Sequence, residues 1–89
     1  MDKNKATNLL HESGDNKIVE VKMKPGVFVD KHIHDWNVDI IILQGSLQIN
    51  YNNSVKVLLS GDRFKLKKNT EHTEYSGLDG VFFLSARPS

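Results

Sequence analysis

Short apolar segments recur along the chain every eight to twelve residues, and several alternate between apolar and polar positions. Alternation with a period of two is typical of β-strands that bury one face. Glycine and asparagine, which favour turns, fall between the segments. The pattern predicts eight strands, at 17–24, 27–34, 38–44, 46–51, 54–59, 62–66, 71–76 and 80–86.

The pattern also predicts how these strands are organised. Asn52-Asn53 predicts a tight hairpin, because asparagine tolerates positive φ. Many short antiparallel strands in one small chain predict an all-β fold, either a sandwich or a jelly-roll barrel. We expect residues 1–16 to form a loose N-terminal arm with at most one short element, and residues 17–89 to form one β-barrel domain.

The segment 38–44 predicts apolar side chains on both faces of its strand. Ile40 and Ile42 share an inward face with Val38, whereas Ile41 and Leu43 point outward. Two large apolar side chains on an outer face require a cover. Either the N-terminal segment or a second subunit can supply it, and we predict a homodimer.

Composition narrows the possible partners and sites. The 89-residue chain has no cysteine, which excludes disulfides and thiolate metal sites. Its net charge of +1 argues against binding to nucleic acid. In the basic segment 63–68, basic and apolar residues alternate, as in a strand with one solvated face. The N-terminus lacks a signal-peptide core, and the longest apolar run, Ile40–Leu43, cannot span a membrane. A soluble, cytoplasmic protein without membrane partners is the expectation.

Three of the four histidines have spacings that suit a metal site. His32 and His34 project from the same face of a strand, with Cα atoms roughly 6.5–7 Å apart. His72 lies 38 residues after His34, and a barrel can bring it opposite the pair. Neutral imidazoles suit Zn, Fe, Ni and Cu. The alternative is that His-x-His is only a polar strand face. We interpret His11 as an exposed histidine of the arm.

The spacing of glycines and histidines resembles the two motifs of the cupin superfamily. Gly26, five residues and His32-x-His34, with a strand ending at Gly45, are similar to the first motif. Gly61, ten residues and His72 are similar to the second. The resemblance implies a double-stranded β-helix, that is, a jelly-roll barrel, with a divalent transition metal held by the three histidines. It also implies a small-molecule ligand.

The chain departs from the motifs at several positions. Val38 stands where the family has a glutamate, and Asp39, one residue further, could ligate only through a bulge. In the second motif Lys67, Asn69 and Ser76 replace proline, glycine and asparagine. Asn69 can supply the left-handed turn conformation that glycine would provide.

Glu74 is the other candidate for the missing carboxylate. It follows His72 by two residues and should share its inward face. The segment 71–87 also resembles a branch of small cupins with His-x-Glu, two glycines and an apolar strand ending in arginine. Glu74 could be a fourth ligand, an acceptor for an imidazole N–H or a general base. The alternative is a solvent-facing glutamate of an edge strand.

The predicted pocket leaves two functions open. Trp36, Val38 and Ile42 are the candidate lining residues, although Trp36 could instead pack in a dimer interface. One function is a metal-dependent enzyme of small molecules, such as a dioxygenase or an isomerase, with Glu74 as possible base. The other is a non-catalytic module that binds a metal or a small ligand such as a sugar. An ionisable group beside the metal-bound water would favour the enzyme.

Overall fold

The computed structural model describes residues 1–12, 14 and 16–88, and most residues in this part of the chain are in β-strands. One antiparallel sheet contains all six described strands, which confirms the predicted all-β fold. A helix, α1 (Lys3–His11), precedes them. The strands are β1 (Asn16–Met23), β2 (Phe28–His32), β3 (Val38–Tyr51), β4 (Ser54–Leu59), β5 (Arg63–Leu66) and β6 (His72–Pro88).

The two longest strands, β3 and β6, form the centre of the sheet. They run antiparallel from Asp39↔Ala86 to Tyr51↔His72. The other edge of β6 pairs first with β2 and then with β1, while β3 pairs with β5 and then with β4. The sheet curls, so that β1, β2, β3, β5 and β6 all contribute side chains to one interior cavity.

The prediction of eight strands was wrong at two places, where glycine continues a strand instead of ending it. Segments 38–44 and 46–51 form the single strand β3, with Gly45 at φ +78° and a register shift between Gly45 and Leu47. Segments 71–76 and 80–86 likewise form β6, with Gly80 at φ +72°. Glycine at positive φ accommodates a bulge and a bend within a strand as readily as a turn.

The asparagine turns form as predicted. Asn52 and Asn53 have φ values of 48° and 60°, and they connect β3 to β4 with Tyr51 paired to Ser54. Two successive positive φ angles are the pattern of the two-residue turn that matches the twist of a hairpin. Asn69 has φ 63°, which confirms that it supplies the left-handed turn conformation before His72.

The outer apolar face of β3 is covered by α1, a short helix within the N-terminal arm. Ala6 and Leu10, one turn apart on the helix, pack against Ile41, Leu43 and Leu84. Asp2 caps the helix by accepting a hydrogen bond from the Lys5 N–H at 2.8 Å. The helix therefore supplies the cover for which the sequence left two candidates. No helix in the described residues is long and apolar enough to cross a bilayer.

A second apolar cluster fills the interior of the curled sheet below the cavity. Strand β5 shows the predicted alternation, since Phe64 and Leu66 are buried while Arg63 and Lys65 are exposed. The cluster leaves the end of the interior near His32 and His72 open to form the cavity. Its buried members are Ile40, Ile42, Leu47, Ile49, Leu58, Phe64, Leu66, Val81 and Phe83.

Candidate metal centre

Three histidines meet at one end of the interior. Their potential ligand atoms all lie within 4.8 Å of one another. His32 ends β2 and His72 begins β6, and the two are paired in register. His34 lies just beyond the end of β2, with its ring centroid 5.0 Å from that of His32 and 5.4 Å from that of His72. The described residues thus bring together the three histidines selected from the sequence.

Backbone carbonyls fix the orientation of two of the three rings. The Nδ1 of His32 lies 2.8 Å from the carbonyl oxygen of Asp30, and that of His72 lies 2.9 Å from the carbonyl oxygen of Thr70. A carbonyl only accepts, so each Nδ1 carries the proton and donates it. Each Nε2 then keeps its lone pair, which is the form of imidazole that binds a metal.

The third ring, that of His34, is biased toward the neutral form. Burial lowers the pKa of His34 below its ordinary value of 6.5, and the neighbouring His32, His72 and Arg87 lower it further, against an opposing effect of Asp35. Protons therefore compete less with a metal for this imidazole at neutral pH. Three neutral imidazoles form a donor set that fits a divalent transition metal and suits Mg or Ca poorly.

Glu74 lies beside the trio without belonging to it. Its Oε2 is 3.8 Å from the Nε2 of His32, which is the nitrogen with the lone pair. This separation is too long for a direct hydrogen bond and leaves room for a bridging water. The Nδ1–H groups of His32 and His72 already have backbone acceptors, so Glu74 faces the ligand side of the trio.

A cavity of about 210 Å³ opens in front of the histidines. Trp36 forms one wall, with its ring 4.5 Å from that of His34, and Val38 and Ile40 form part of another. Ile42, which the sequence placed in the pocket, is not among the lining residues and lies fully buried in the core below. Ile42 lies four positions after Val38, roughly 13 Å along β3, which takes its side chain away from the cavity.

Asp39 does not replace the missing glutamate. It pairs in register with Lys65 with no bulge at that position, and its carboxylate accepts two hydrogen bonds from Arg63, at 2.9 and 2.7 Å. This contact raises the pKa of Arg63. The side chain therefore points to the opposite face from Val38, as the parity of a regular strand requires. Val38 leaves an apolar wall where the family has a carboxylate.

Sequence reasoning missed Arg87, which also lines the cavity. Its guanidinium carbon lies 5.9 Å from the centre of the Trp36 ring. Its Nε is buried and has no hydrogen-bond partner. The parity of β6 could have revealed it, because Arg87 follows Phe83 and Ser85 at intervals of two and all three line the cavity.

Ser76, to which the sequence assigned no role, is fully buried and joins two segments. Its Oγ accepts a hydrogen bond from the Val27 N–H at 2.8 Å and donates one to the Lys24 carbonyl at 2.5 Å. The loop that leads into β2 is thereby attached to β6. This contact helps to place β2, and with it His32, next to His72.

Comparisons with known proteins identify the fold. No protein-family model matches the sequence, and no curated protein matches it significantly. A cupin-2 domain containing protein from Shewanella frigidimarina superposes on the whole chain and on 94% of its own length, with a TM-score of 0.72 and 18% identity. This chain has the fold of a small cupin domain.

Two further cupin-fold structures are similar over most of this chain. KdgF from Halomonas sp. matches 84% of this chain and 71% of its own, with a TM-score of 0.68 and 23% identity. The polyketide cyclase RemF from Streptomyces resistomycificus matches 86% of this chain and 57% of its own, with a TM-score of 0.73 and 20% identity. At these identities the likeness extends to the double-stranded β-helix fold and not to an activity.

Proposed function

We propose that this cupin is a metal-dependent enzyme that acts on a small molecule, with His32, His34 and His72 holding a divalent transition metal and Glu74 acting as general base. The observation that carries the proposal is the carboxylate of Glu74, 3.8 Å from the metal-facing nitrogen of His32. An ionisable group next to the ligand side of a metal site is what proton transfer requires. The enzymes among the structural neighbours, such as the polyketide cyclase RemF, support a catalytic use of this fold.

The position of Glu74 favours an isomerase over a dioxygenase. When bound, the metal supplies Lewis-acid polarisation of a substrate carbonyl. On an α-hydroxy carbonyl substrate, Glu74 then removes the proton from the hydroxyl-bearing carbon and returns it to the carbonyl carbon. The hydroxyl proton moves to the carbonyl oxygen, so the product is an isomer and no other reactant is needed. The histidines orient the site, and the apolar walls at Val38 and Ile40 restrict the access of water. A dioxygenase would need dioxygen as a further reactant, which this proton transfer does not.

Elemental analysis combined with a Glu74→Gln variant tests this proposal. Protein purified without an affinity tag should contain about one transition-metal ion per chain, and the variant should retain it. The unmodified protein should catalyse incorporation of solvent deuterium into members of a panel of small sugars and 2-oxo acids, which NMR measures. This exchange should be about 100- to 10,000-fold slower with Glu74→Gln.

Glu71→Gln is the matched control, because Glu71 is an exposed glutamate that contacts Lys31 and lies outside the cavity lining. We expect this variant to catalyse deuterium exchange into the panel compounds at the same rate as the unmodified protein. Loss of the metal in Glu74→Gln would instead make Glu74 a fourth ligand. If the metal-loaded protein catalysed deuterium incorporation into none of the panel compounds, the enzymatic proposal would be contradicted.

The alternative is a non-catalytic module that binds a metal or a small ligand such as a sugar. The apolar lining in front of the histidines, with Val38 in the place of a carboxylate and Ile40 and Ile49 nearby, favours this alternative. A module of this kind would bind metal in the same way, and replacing Glu74 would have no consequence beyond a small change in affinity. The deuterium-exchange experiment separates the two functions.

We also propose that the protein forms a homodimer. Helix α1 covers Ile41 and Leu43, so the interface must be another apolar surface, which we place on β4. Val55, Val57 and Leu59 project from one face of β4, and each is more than half exposed. Strand β4 pairs only with β3 among the described strands, so its other edge is available for pairing. Light scattering should give twice the chain mass of 10.1 kDa. Val57→Lys should reduce it to one chain, whereas a monodisperse unmodified monomer would contradict the dimer.

A further inference from the structure

We propose that Arg87 binds the carboxylate of the ligand, so that the cavity takes a small organic acid. The inference deepens the proposed function, on which it rests for the identity of the cavity as the ligand site. It names the chemical class of the ligand and a residue that determines specificity. Neither follows from the three histidines or from Glu74.

The first argument is an unsatisfied donor. The Nε of Arg87 is buried without a hydrogen-bond partner, and no ion pair among the described residues includes this guanidinium. A buried N–H that has lost its water and gained no acceptor costs about 1–3 kcal/mol, and more in a charged group. Natural structures tolerate such a group where a ligand supplies the acceptor. A carboxylate matches the planar fork of a guanidinium with two parallel hydrogen bonds.

The second argument is the position of Arg87 relative to the histidines. Its guanidinium lies against Trp36, at 5.9 Å from the ring centre, and Trp36 in turn lies 4.5 Å from His34. The hydroxyl of Ser85, on the same face of β6, offers a further donor in the cavity lining. One small ligand can therefore contact the guanidinium and the histidine site together.

The third argument is the distribution of charge in the cavity. Glu74 lies beside His32, whereas Arg87 lies beside Trp36. An anionic group is repelled by Glu74 and attracted by Arg87, which gives the ligand one favoured orientation. A bound divalent cation would leave the cavity with an excess of positive charge, because Glu74 is the lone acidic lining residue in the described part of the chain. A carboxylate ligand reduces this excess.

Cavity size and lining indicate an organic anion and not an inorganic one. A volume of about 210 Å³ corresponds to roughly seven water molecules at about 30 Å³ each. Val21, Val38 and Ile40 present apolar surface that a carbon skeleton can contact and that phosphate or sulfate cannot use. The expected ligand is a carboxylic acid of a few carbon atoms.

Titration of the zinc-loaded protein with lactate tests the inference, and Trp36, the single tryptophan, reports binding through its fluorescence. Calorimetry provides a second readout. Lactate should bind at least tenfold more tightly than propane-1,2-diol, its uncharged counterpart, and more tightly than inorganic phosphate. Arg87→Met should weaken lactate binding by about 10- to 100-fold and leave the diol unchanged. Arg87→Lys, which keeps the charge without the fork, should give an intermediate affinity.

Lys67→Met is the matched control, since it removes one positive charge from an exposed side chain that does not line this cavity. It should bind lactate like the unmodified protein. Equal lactate affinity in Arg87→Met and the unmodified protein would overturn the inference, as would phosphate binding as tight as lactate. Acetate and succinate are titrated as two further carboxylic acids, and the inference would also be overturned if neither they nor lactate bound. Should Arg87→Met fail to fold, Arg87→Lys decides by the same comparison.

The experiment separates this inference from the proposed function. Protein that takes up no zinc would refute the metal site. The role of Arg87 could still be tested by comparing the lactate affinities of the metal-free unmodified protein and metal-free Arg87→Met. Zinc uptake by both proteins with identical lactate affinities would refute only the role of Arg87.

Discussion

The His32→Ala/His34→Ala double variant is expected to lose stoichiometric metal binding. Two of the three imidazoles that meet within 4.8 Å are removed, and His72 alone cannot hold a divalent ion in a defined geometry. Because removing even an outer partner of a metal ligand costs about 10- to 100-fold in affinity, we expect a loss of at least about 100-fold here. Titration with zinc and elemental analysis after dialysis measure it.

The same variant should also lose its stabilisation by metal. A ligand at about 100 times its dissociation constant adds about 2.7 kcal/mol to the free energy of unfolding. In a domain of this size that corresponds to a rise of about 10 to 20 °C in the melting temperature of the unmodified protein. The double variant should show no rise with added zinc.

His11→Ala is the control of the same residue type, because His11 is exposed at the end of α1 and outside the group of three. It should keep both the metal and the thermal shift. A double variant that kept full metal stoichiometry would refute the site, and so would an equal loss in His11→Ala.

Gly45→Ala is expected to be the most destabilising single-methyl substitution in the β framework. A Cβ at this position would collide with the carbonyl oxygen of Gly80 and would come within 3.1 Å of the Val81 Cα, both of which are backbone atoms that cannot rotate away. The positive φ of +78° adds about 1–2 kcal/mol. Overpacking adds about 1–3 kcal/mol. Denaturant unfolding should therefore show a loss of about 2–5 kcal/mol.

Gly61→Ala separates the two contributions. Gly61 also has a positive φ, +92°, but a Cβ there would meet no atom within 4 Å. It should lose only about 1–2 kcal/mol, the conformational part of the cost. If the two variants lose the same stability, the close approach of β3 and β6 at Gly45 and Gly80 does not constrain the fold.

Those glycines also show why the strand count could not be read from the sequence. Glycine marks a place where φ is positive, yet a turn and a bulge within a strand satisfy this condition equally well. Which one forms depends on whether a neighbouring backbone approaches, as Gly80 approaches Gly45. Asn52-Asn53 was predictable because two adjacent residues that tolerate positive φ fit a single short hairpin.

The candidate site was largely predictable because it depends on local geometry and on motif spacing. The i, i+2 spacing of His32 and His34 and the recurrence of His72 after a turn were sufficient to bring three imidazoles together. The sequence allowed one short element in the N-terminal arm but did not predict that it is the helix α1, because a nine-residue helix depends more on its packing against Ile41 and Leu84 than on its own propensity. The parity of β6 places Arg87 on the same face as Phe83 and Ser85, but that its Nε has no hydrogen-bond partner follows only from the structure.

The main-chain acceptors of His32 and His72 have a consequence for which positions of this cupin-fold domain can change. In each case the acceptor is the carbonyl two residues earlier, at Asp30 and Thr70, and a carbonyl is present whatever side chain occupies that position. The orientation of these two imidazole rings is therefore set by the conformation of the backbone and not by neighbouring side chains. Wall positions such as Val38 can then diverge toward new ligands without disturbing how the two imidazoles point.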